Sequence, residues 1–315
     1  MKKLLIWLPG MLSMLAACTE AVEIPARAPE KQSPVRVELH LTTEQQAATR
    51  AMDENCIRDV NLYLYGDTEY HFYFPSVSSP LVFNVLPGNY RSYAIANAGQ
   101  DLGDKNAFKI QFYETAVDVM ESSDAIPMTD RGTLAVDGAG RCTPSSLRVT
   151  RSAAKIAYTI EVADAVAPSL RLRSVQFCNL PLTIRPFDSG SISSTVEANY
   201  YDGEAMPVGN ERRTAGTAYL FENLQGSVDT ITDQKDKCPE NAPACATYLR
   251  ILAERSADKA LVEYIVYPGE NNTSDFNVRR NTWHNLELVI RGENEIDNRV
   301  LVYDGLYYGT ANCHI

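Results

Sequence analysis

The chain has 315 residues, and its 40 acidic against 29 basic side chains give a formal net charge of −11. Nucleic acid and anionic headgroups are both recognised through clustered Lys and Arg, so this balance excludes them as general partners. The length alone predicts about two domains.

Lys2 and Lys3 precede an apolar stretch from Leu4 to Ala17 that closes on Leu15-Ala16-Ala17-Cys18. A positive start, a short apolar core and small residues at the junction describe a secretory signal over residues 1–17. The stretch is shorter than the roughly 20 apolar residues a membrane-spanning helix needs. Leu-Ala-Ala-Cys resembles the bacterial lipobox. That resemblance implies a diacylglyceryl group on the Cys18 thiol, further acylation with a chain such as palmitate, and a mature lipoprotein that starts at Cys18. More than one acyl chain is needed for stable attachment, and a lipobox supplies more than one. Residues 18–34 carry Pro25, Pro29 and Pro34 among scattered charges and read as a flexible tether between lipid and fold.

Val35-Arg36-Val37-Glu38-Leu39-His40-Leu41 alternates apolar and polar without a fault, the period of a strand with one buried face. Thr42 to Asn55 is polar and is expected to loop. Strand-like runs follow over Val60–Tyr65, Tyr70–Phe74, Leu81–Leu86 and Tyr90–Asn97, the last two joined by Pro87-Gly88-Asn89. Pro fixes φ and Gly accepts the positive φ of a type II turn, so this join predicts a hairpin. Phe108 to Met120 suits a short helix or another strand, and Gly132 to Gly140 reads as a Gly-rich loop. Ser146–Thr150, Ala153–Val162, Leu170–Phe177, Leu182–Ile184, Thr217–Phe221, Tyr248–Ala253, Leu261–Tyr267 and Leu286–Ile290 complete the series. Many short strands separated by turn signals predict a mainly β chain of two β-sandwiches in tandem, residues 35–151 and 152–315.

The cysteines after Cys18 are Cys56, Cys142, Cys178, Cys238, Cys245 and Cys313. Cys238 and Cys245 enclose a turn-rich loop with two prolines, and in an oxidising compartment they are the expected local disulfide. They lack the paired His or second Cys-x-x-Cys of a zinc site, so no metal is expected. His40, His71, His284 and His314 are scattered; the first two read as exposed sheet residues and His284 as structural. No Gly-x-Ser-x-Gly elbow, His-Glu-x-x-His helix or phosphate-binding Gly loop occurs. Neither catalysis nor a cofactor is expected.

Three runs carry a more specific signal: Thr217–Gly226; Tyr267–Asn272 continuing through Asp275-Phe276-Asn277-Val278-Arg279-Arg280-Asn281-Thr282-Trp283-His284; and Val85–Tyr90 with Tyr93–Asn97. With the lipobox and Thr49-Arg50-Ala51 they resemble the fimbrillin-like lipoproteins of Bacteroidales, the superfamily of type V pilus subunits. The resemblance implies transthyretin-like sandwiches, an outer-membrane lipid anchor, cleavage after an arginine, and strand exchange between subunits. Arg50 would be the leading cleavage site, with Arg36 and Arg27 as lesser candidates. Val35, Val37, Leu39 and Leu41 would be the inward face of the removable strand, and Arg299–Tyr308 the candidate donor. Partners would be other fimbrial subunits and a host or bacterial surface receptor. Gly309–Cys313 looks like the entry into a further module of longer relatives, which sets a tip or accessory role beside a stalk role. The rival expectation is a surface glycan-binding lipoprotein, for which the chain offers only Trp7 and Trp283 as tryptophan platforms.

Overall fold

A computed structural model describes residues 33–43, 56–104, 112–113, 126–187, 193–209, 211–293 and 295–304. The signal, Cys18, Arg27, the tether up to residue 32, Arg50, Cys313 and residues 305–308 of the donor run lie outside them. The described part is mainly β, with no α-helix among the described residues.

The first set of strands is β1 (Val35–Thr43), β2 (Val60–Tyr65), β3 (Glu69–Phe74), β4 (Leu81–Val85), β5 (Gly88–Ala96), β6 (Phe112–Tyr113), β7 (Met128–Val136), β8 (Cys142–Thr143) and β9 (Ser146–Arg151). They pair in the order β3-β2-β5-β7-β9-β1-β4, with β8 added on β7. The path folds back on itself. Its two ends meet through aromatic rings, Phe72 of β3 lying 4.9 Å from Phe83 of β4, although β3 and β4 do not pair. Strict alternation places Leu62, Leu64, Ala94 and Leu134 against Val37, Leu39, Phe83, Leu147 and Val149 in one core.

The second set is β10 (Ala153–Val162), β11 (Leu170–Cys178), β12 (Leu180–Pro181), β13 (Thr183–Ile184), β14 (Tyr200–Tyr201), β15 (Met206–Pro207), β16 (Arg213–Phe221), β17 (Tyr248–Arg255), β18 (Leu261–Val266), β19 (Thr282–Gly292) and β20 (Glu295–Asp304). Two four-stranded sheets, β16-β10-β19-β20 and β15-β11-β17-β18, enclose a second core that includes Ile156, Ile160, Phe177, Ile251 and Leu288. Tyr63, Tyr93, Ile126, Phe187 and Phe221 form a third cluster that joins side chains of both sets. Tyr93 and Phe187 meet edge to face in it, centroids 5.1 Å apart. β6 pairs with β13, Thr183 opposite Tyr113 and Ile184 opposite Phe112, and is a second tie between the sets.

Three local expectations are corrected. The Pro87-Gly88 join is a corner between layers and not a hairpin: β4 pairs with β1, whereas β5 pairs with β2 and β7. The corner is held by Tyr90, whose hydroxyl donates to Leu86 O at 2.6 Å, and by Tyr70, whose hydroxyl accepts from Leu86 N at 3.1 Å. Gly132 lies within β7 opposite Ser92, so the loop shrinks to the turn around Asp137–Arg141. His71 is covered rather than exposed. It stacks on Tyr63 at 4.4 Å and lies 3.0 Å from Asn61 Oδ1, under a loop that Asp59 holds by accepting from the amides of Ala98 and Gly99.

Gly140 shows how tightly the turn after β7 seats on β1. Its φ is +78°, and a Cβ there would stand 2.0 Å from Arg36 O. Gly138, two residues earlier, has open space around it. Gly140→Ala is therefore expected to cost about 2 kcal/mol or more, combining left-handed strain with the clash. Gly138→Ala is expected to stay within about 0.5 kcal/mol. Thermal unfolding of both variants checks this, and equal melting temperatures would contradict the seating.

Candidate subunit-assembly site

The run Val35–Leu41 forms β1 with the alternation expected of it. Val37 and Leu39 are fully buried, Val35 and Leu41 are partly buried against the same core, and Arg36, Glu38 and His40 are exposed. What the alternation could not show is the pairing. Residues 35–39 run antiparallel to β4, from Val35 opposite Val85 to Leu39 opposite Leu81. Residues 40–43 run parallel to β9, from His40 opposite Ser146 to Thr43 opposite Val149. One strand thus satisfies two different sheet edges in succession and changes partner at its midpoint.

The slot beneath β1 is apolar, lined by Leu81, Phe83 and Val85 on one edge and Leu147 and Val149 on the other, all buried. Burying Val37 and Leu39 contributes about 3–6 kcal/mol in total. That is a large share of the roughly 5–15 kcal/mol by which a domain is stable. Withdrawing β1 would also bare the backbone donors and acceptors of β4 and β9, and bare strand edges recruit replacement strands. Two contacts hold the other margin of β1: the Cys142 thiol donates to Glu38 O at 3.3 Å, and Gly140 packs against Arg36 O.

Arg36 lies inside this ladder opposite Asn84, with its guanidinium 3.2 Å from Glu38. A protease needs an extended, unpaired segment, so Arg36 offers a scissile bond only after β1 has opened. The described part of the donor run, Arg299 to Asp304, lies in β20, which pairs antiparallel with β19 along its length and forms the edge of its sheet.

The Phe276–Asn281 run is a structural hub. Val278 and Asn223 exchange two backbone hydrogen bonds, each 2.8 Å. The Asn223 amide donates to Cys245 O at 2.8 Å and to Thr247 Oγ1 at 2.9 Å. Asn277 donates to Asp275 Oδ2 and accepts from Gly226 N. Arg279 pairs with Glu270. Arg280 pairs with Glu222 at 3.0 Å, both side chains being about nine-tenths buried, and donates to Pro186 O at 2.7 Å. Asn281 has φ of +56° and accepts from Arg151.

Behind the hub, Lys237 is buried over the Phe276 ring and donates to Asn271 O at 2.7 Å. Burial pulls its amine down to about 8, against a partial upward pull from Asp275. His284 is also fully buried, between Thr282 Oγ1 and Gly269 O at 3.0 and 3.2 Å.

The expected Cys238–Cys245 disulfide is not formed; both are free thiols. Cys238 sits in a turn where Asn241 donates towards its sulfur, near Glu240. Cys245 is buried, and burial raises its thiol pKa. Among the described residues no cluster of His, Cys, Asp and Glu could hold a metal ion.

Residues 218–288 match the model of a domain of unknown function, DUF4906, a span that includes the Phe276–Asn281 run and its partners Glu222, Asn223, Cys245 and Thr247. No curated protein matches the sequence. Solved structures are similar in fold. A fimbrillin from Porphyromonas gingivalis has 14% identity and a TM-score of 0.58, covering 88% of this chain and 99% of its own. The tip fimbrial protein of the same species, with a C-terminal truncation, has 13% identity and a TM-score of 0.55, covering 86% and 100%. A protein assigned to cell adhesion from Bacteroides eggerthii has 11% identity and a TM-score of 0.60, covering 89% and 98%. The chain therefore has the fimbrillin-like fold over nearly the full length of each.

Burial holds His284 at about 4, below the ordinary histidine value of about 6.5. Between those values the unfolded chain takes up a proton that the folded chain refuses. The stability tied to this group is complete above about pH 6.5 and is lost as the pH falls towards 4, by about 3 kcal/mol in all. Urea unfolding at pH 7 and pH 4.5 should show that loss in the native protein and a clearly smaller one in His284→Gln. An equal loss in both would remove His284 as its cause.

Proposed function

We propose that this protein is a cell-surface fimbrial subunit, or a tip or accessory adhesin component, that assembles by β-strand addition and has no enzymatic role. The observation that carries the reading is β1: one strand, followed in sequence by an arginine-bearing polar stretch, closes two sheet edges over an apolar slot. A replacement strand of the same alternating pattern would restore the ladder to β4 and β9 and refill the positions of Val35, Val37, Leu39 and Leu41. Backbone bonds would then give affinity and the side-chain pockets selectivity. The shared fold with a fimbrillin and a tip fimbrial protein supports this reading.

In this reading residues 35–151 and 152–315 are tandem transthyretin-like domains, and the signal over residues 1–17 delivers a lipoprotein anchored through Cys18 to the outer membrane. Arg50 is the processing site in this reading, because it follows β1 in sequence while Arg36 is enclosed in the ladder. The β20 segment with the residues after it donates to the slot of a neighbouring subunit.

Digesting the purified full-length precursor with an arginine-specific protease should cut near Arg50 and give oligomers that survive mild heating in detergent. Leu39→Ala should lower precursor stability by about 2–5 kcal/mol and speed release of the N-terminal segment. A product that stays monomeric after complete cleavage would overturn the strand-addition reading.

A further inference from the structure

The outer face of the first sheet carries a second feature, on the side away from the core that β1 covers. Register places Tyr65 of β2, Arg91 of β5 and Thr133 of β7 in one cross-strand row. Asn89 of β5, Ala135 of β7 and Thr143 of β8 form the adjoining row. Side chains of successive rows two residues apart share a face, and these six line a cleft of about 450 Å³. That volume falls within the ordinary range of small-molecule sites, about 300–1,000 Å³.

The row on the other side of Tyr65 explains why the cleft stops where it does. Tyr63, paired with Tyr93, is buried there in the cluster shared with Phe187. Tyr65 is packed from behind, its ring 5.6 Å from Tyr93 and 6.4 Å from Tyr63, and is half-buried itself. It is a fixed aromatic wall beside the opening. The small side chain of Ala135 leaves the depth.

The polar groups around that wall are uncommitted. Asn89, Arg91, Thr133 and Thr143 are exposed, and their side chains have no hydrogen-bond or ion-pair partner among the described residues. Among the described residues Arg91 is thus a cation without an acid, in a chain of net charge −11. An aromatic face, an amide, two hydroxyls and one guanidinium complement a ring with one apolar C–H face, several hydroxyl groups and one carboxylate.

We propose that this cleft binds an acidic sugar, a pyranose bearing a carboxylate, with its C–H face on Tyr65 and its carboxylate on Arg91. Asn89, Thr133 and Thr143 take the ring hydroxyls. The site stands apart from the β1 slot and does not depend on strand exchange. It would recognise its ligand through tyrosine and arginine, without either tryptophan of the chain.

Saturation-transfer NMR on the full chain tests it with methyl glucuronide, N-acetylneuraminic acid and, as the neutral counterpart, methyl glucoside. Binding of either acidic sugar is expected, at least tenfold tighter than the glucoside. Arg91→Ala should bring the acidic sugar down to the level of the neutral one, and Thr133→Leu should block both by filling the cleft. Both positions are exposed, so unchanged melting temperatures will separate lost binding from lost folding. Failure of both acidic sugars to bind, equal binding of the glucoside, or undiminished binding in Arg91→Ala would each overturn the proposal.

Discussion

The constraint on which the first half of the molecule depends is that β1 must close two edges with a single strand. β4 offers it an antiparallel partner and β9 a parallel one, and neither has another neighbour along the residues it gives to β1. Parallel and antiparallel ladders space their hydrogen bonds differently, so the change at Leu39–His40 fixes the register of both halves at once. A slip by one residue would turn Val37 and Leu39 out to solvent and Arg36 and Glu38 into the core. The proposed strand exchange would draw on the same arrangement. Its residues come from a short contiguous stretch, and everything they cover is a slot of matching periodicity.

The hub around Asn223, Asp275 and Arg280 plays the corresponding role in the second half. Loops between sandwich strands carry backbone groups that must be paired when buried. Here they are paired by side chains: the Asn223 amide reaches Cys245 O, and the Asp275 carboxylate accepts from the amides of Glu270 and Asn277. Lys237, held over Phe276 and against Asn271 O, closes the same region from below. Composition read without register treats these residues as a solvated polar loop. Their order along the chain was what marked them as unusual.

Much of the fold was legible in the sequence because a strand with one wet face writes its own period. Val35–Leu41, Val60–Tyr65 and Ala153–Val162 each became strands over nearly those residues. The errors arose where a local signal has two tertiary outcomes. Pro87-Gly88 can reverse a chain within one sheet or pass it to another, and the Tyr70 and Tyr90 hydroxyls that decide between these come from outside the dipeptide. Gly132 reads as a loop residue until its partner Ser92 is known. Cys238 and Cys245 are close in sequence, yet both thiols are free, and nearness along the chain does not by itself set a disulfide. The sugar cleft was invisible for the same reason: Tyr65, Arg91, Thr133 and Thr143 become adjacent only through cross-strand pairing, which no single stretch encodes.

The buried Arg280–Glu222 pair has a consequence for how such a chain can diverge. Losing either member alone would strand a charge in a dry site, at a cost of about 3–5 kcal/mol, whereas exchanging both for apolar groups of similar volume can be nearly neutral. Lineages would have to cross that gap in two coupled steps, or first accumulate enough spare stability to survive the intermediate. Arginine at 280 also grips the Pro186 carbonyl, so any exchange must hand that acceptor to a new donor. Drift at these two sites is therefore expected to be slow and concerted, while the exposed rows of the sheets are free to vary one residue at a time.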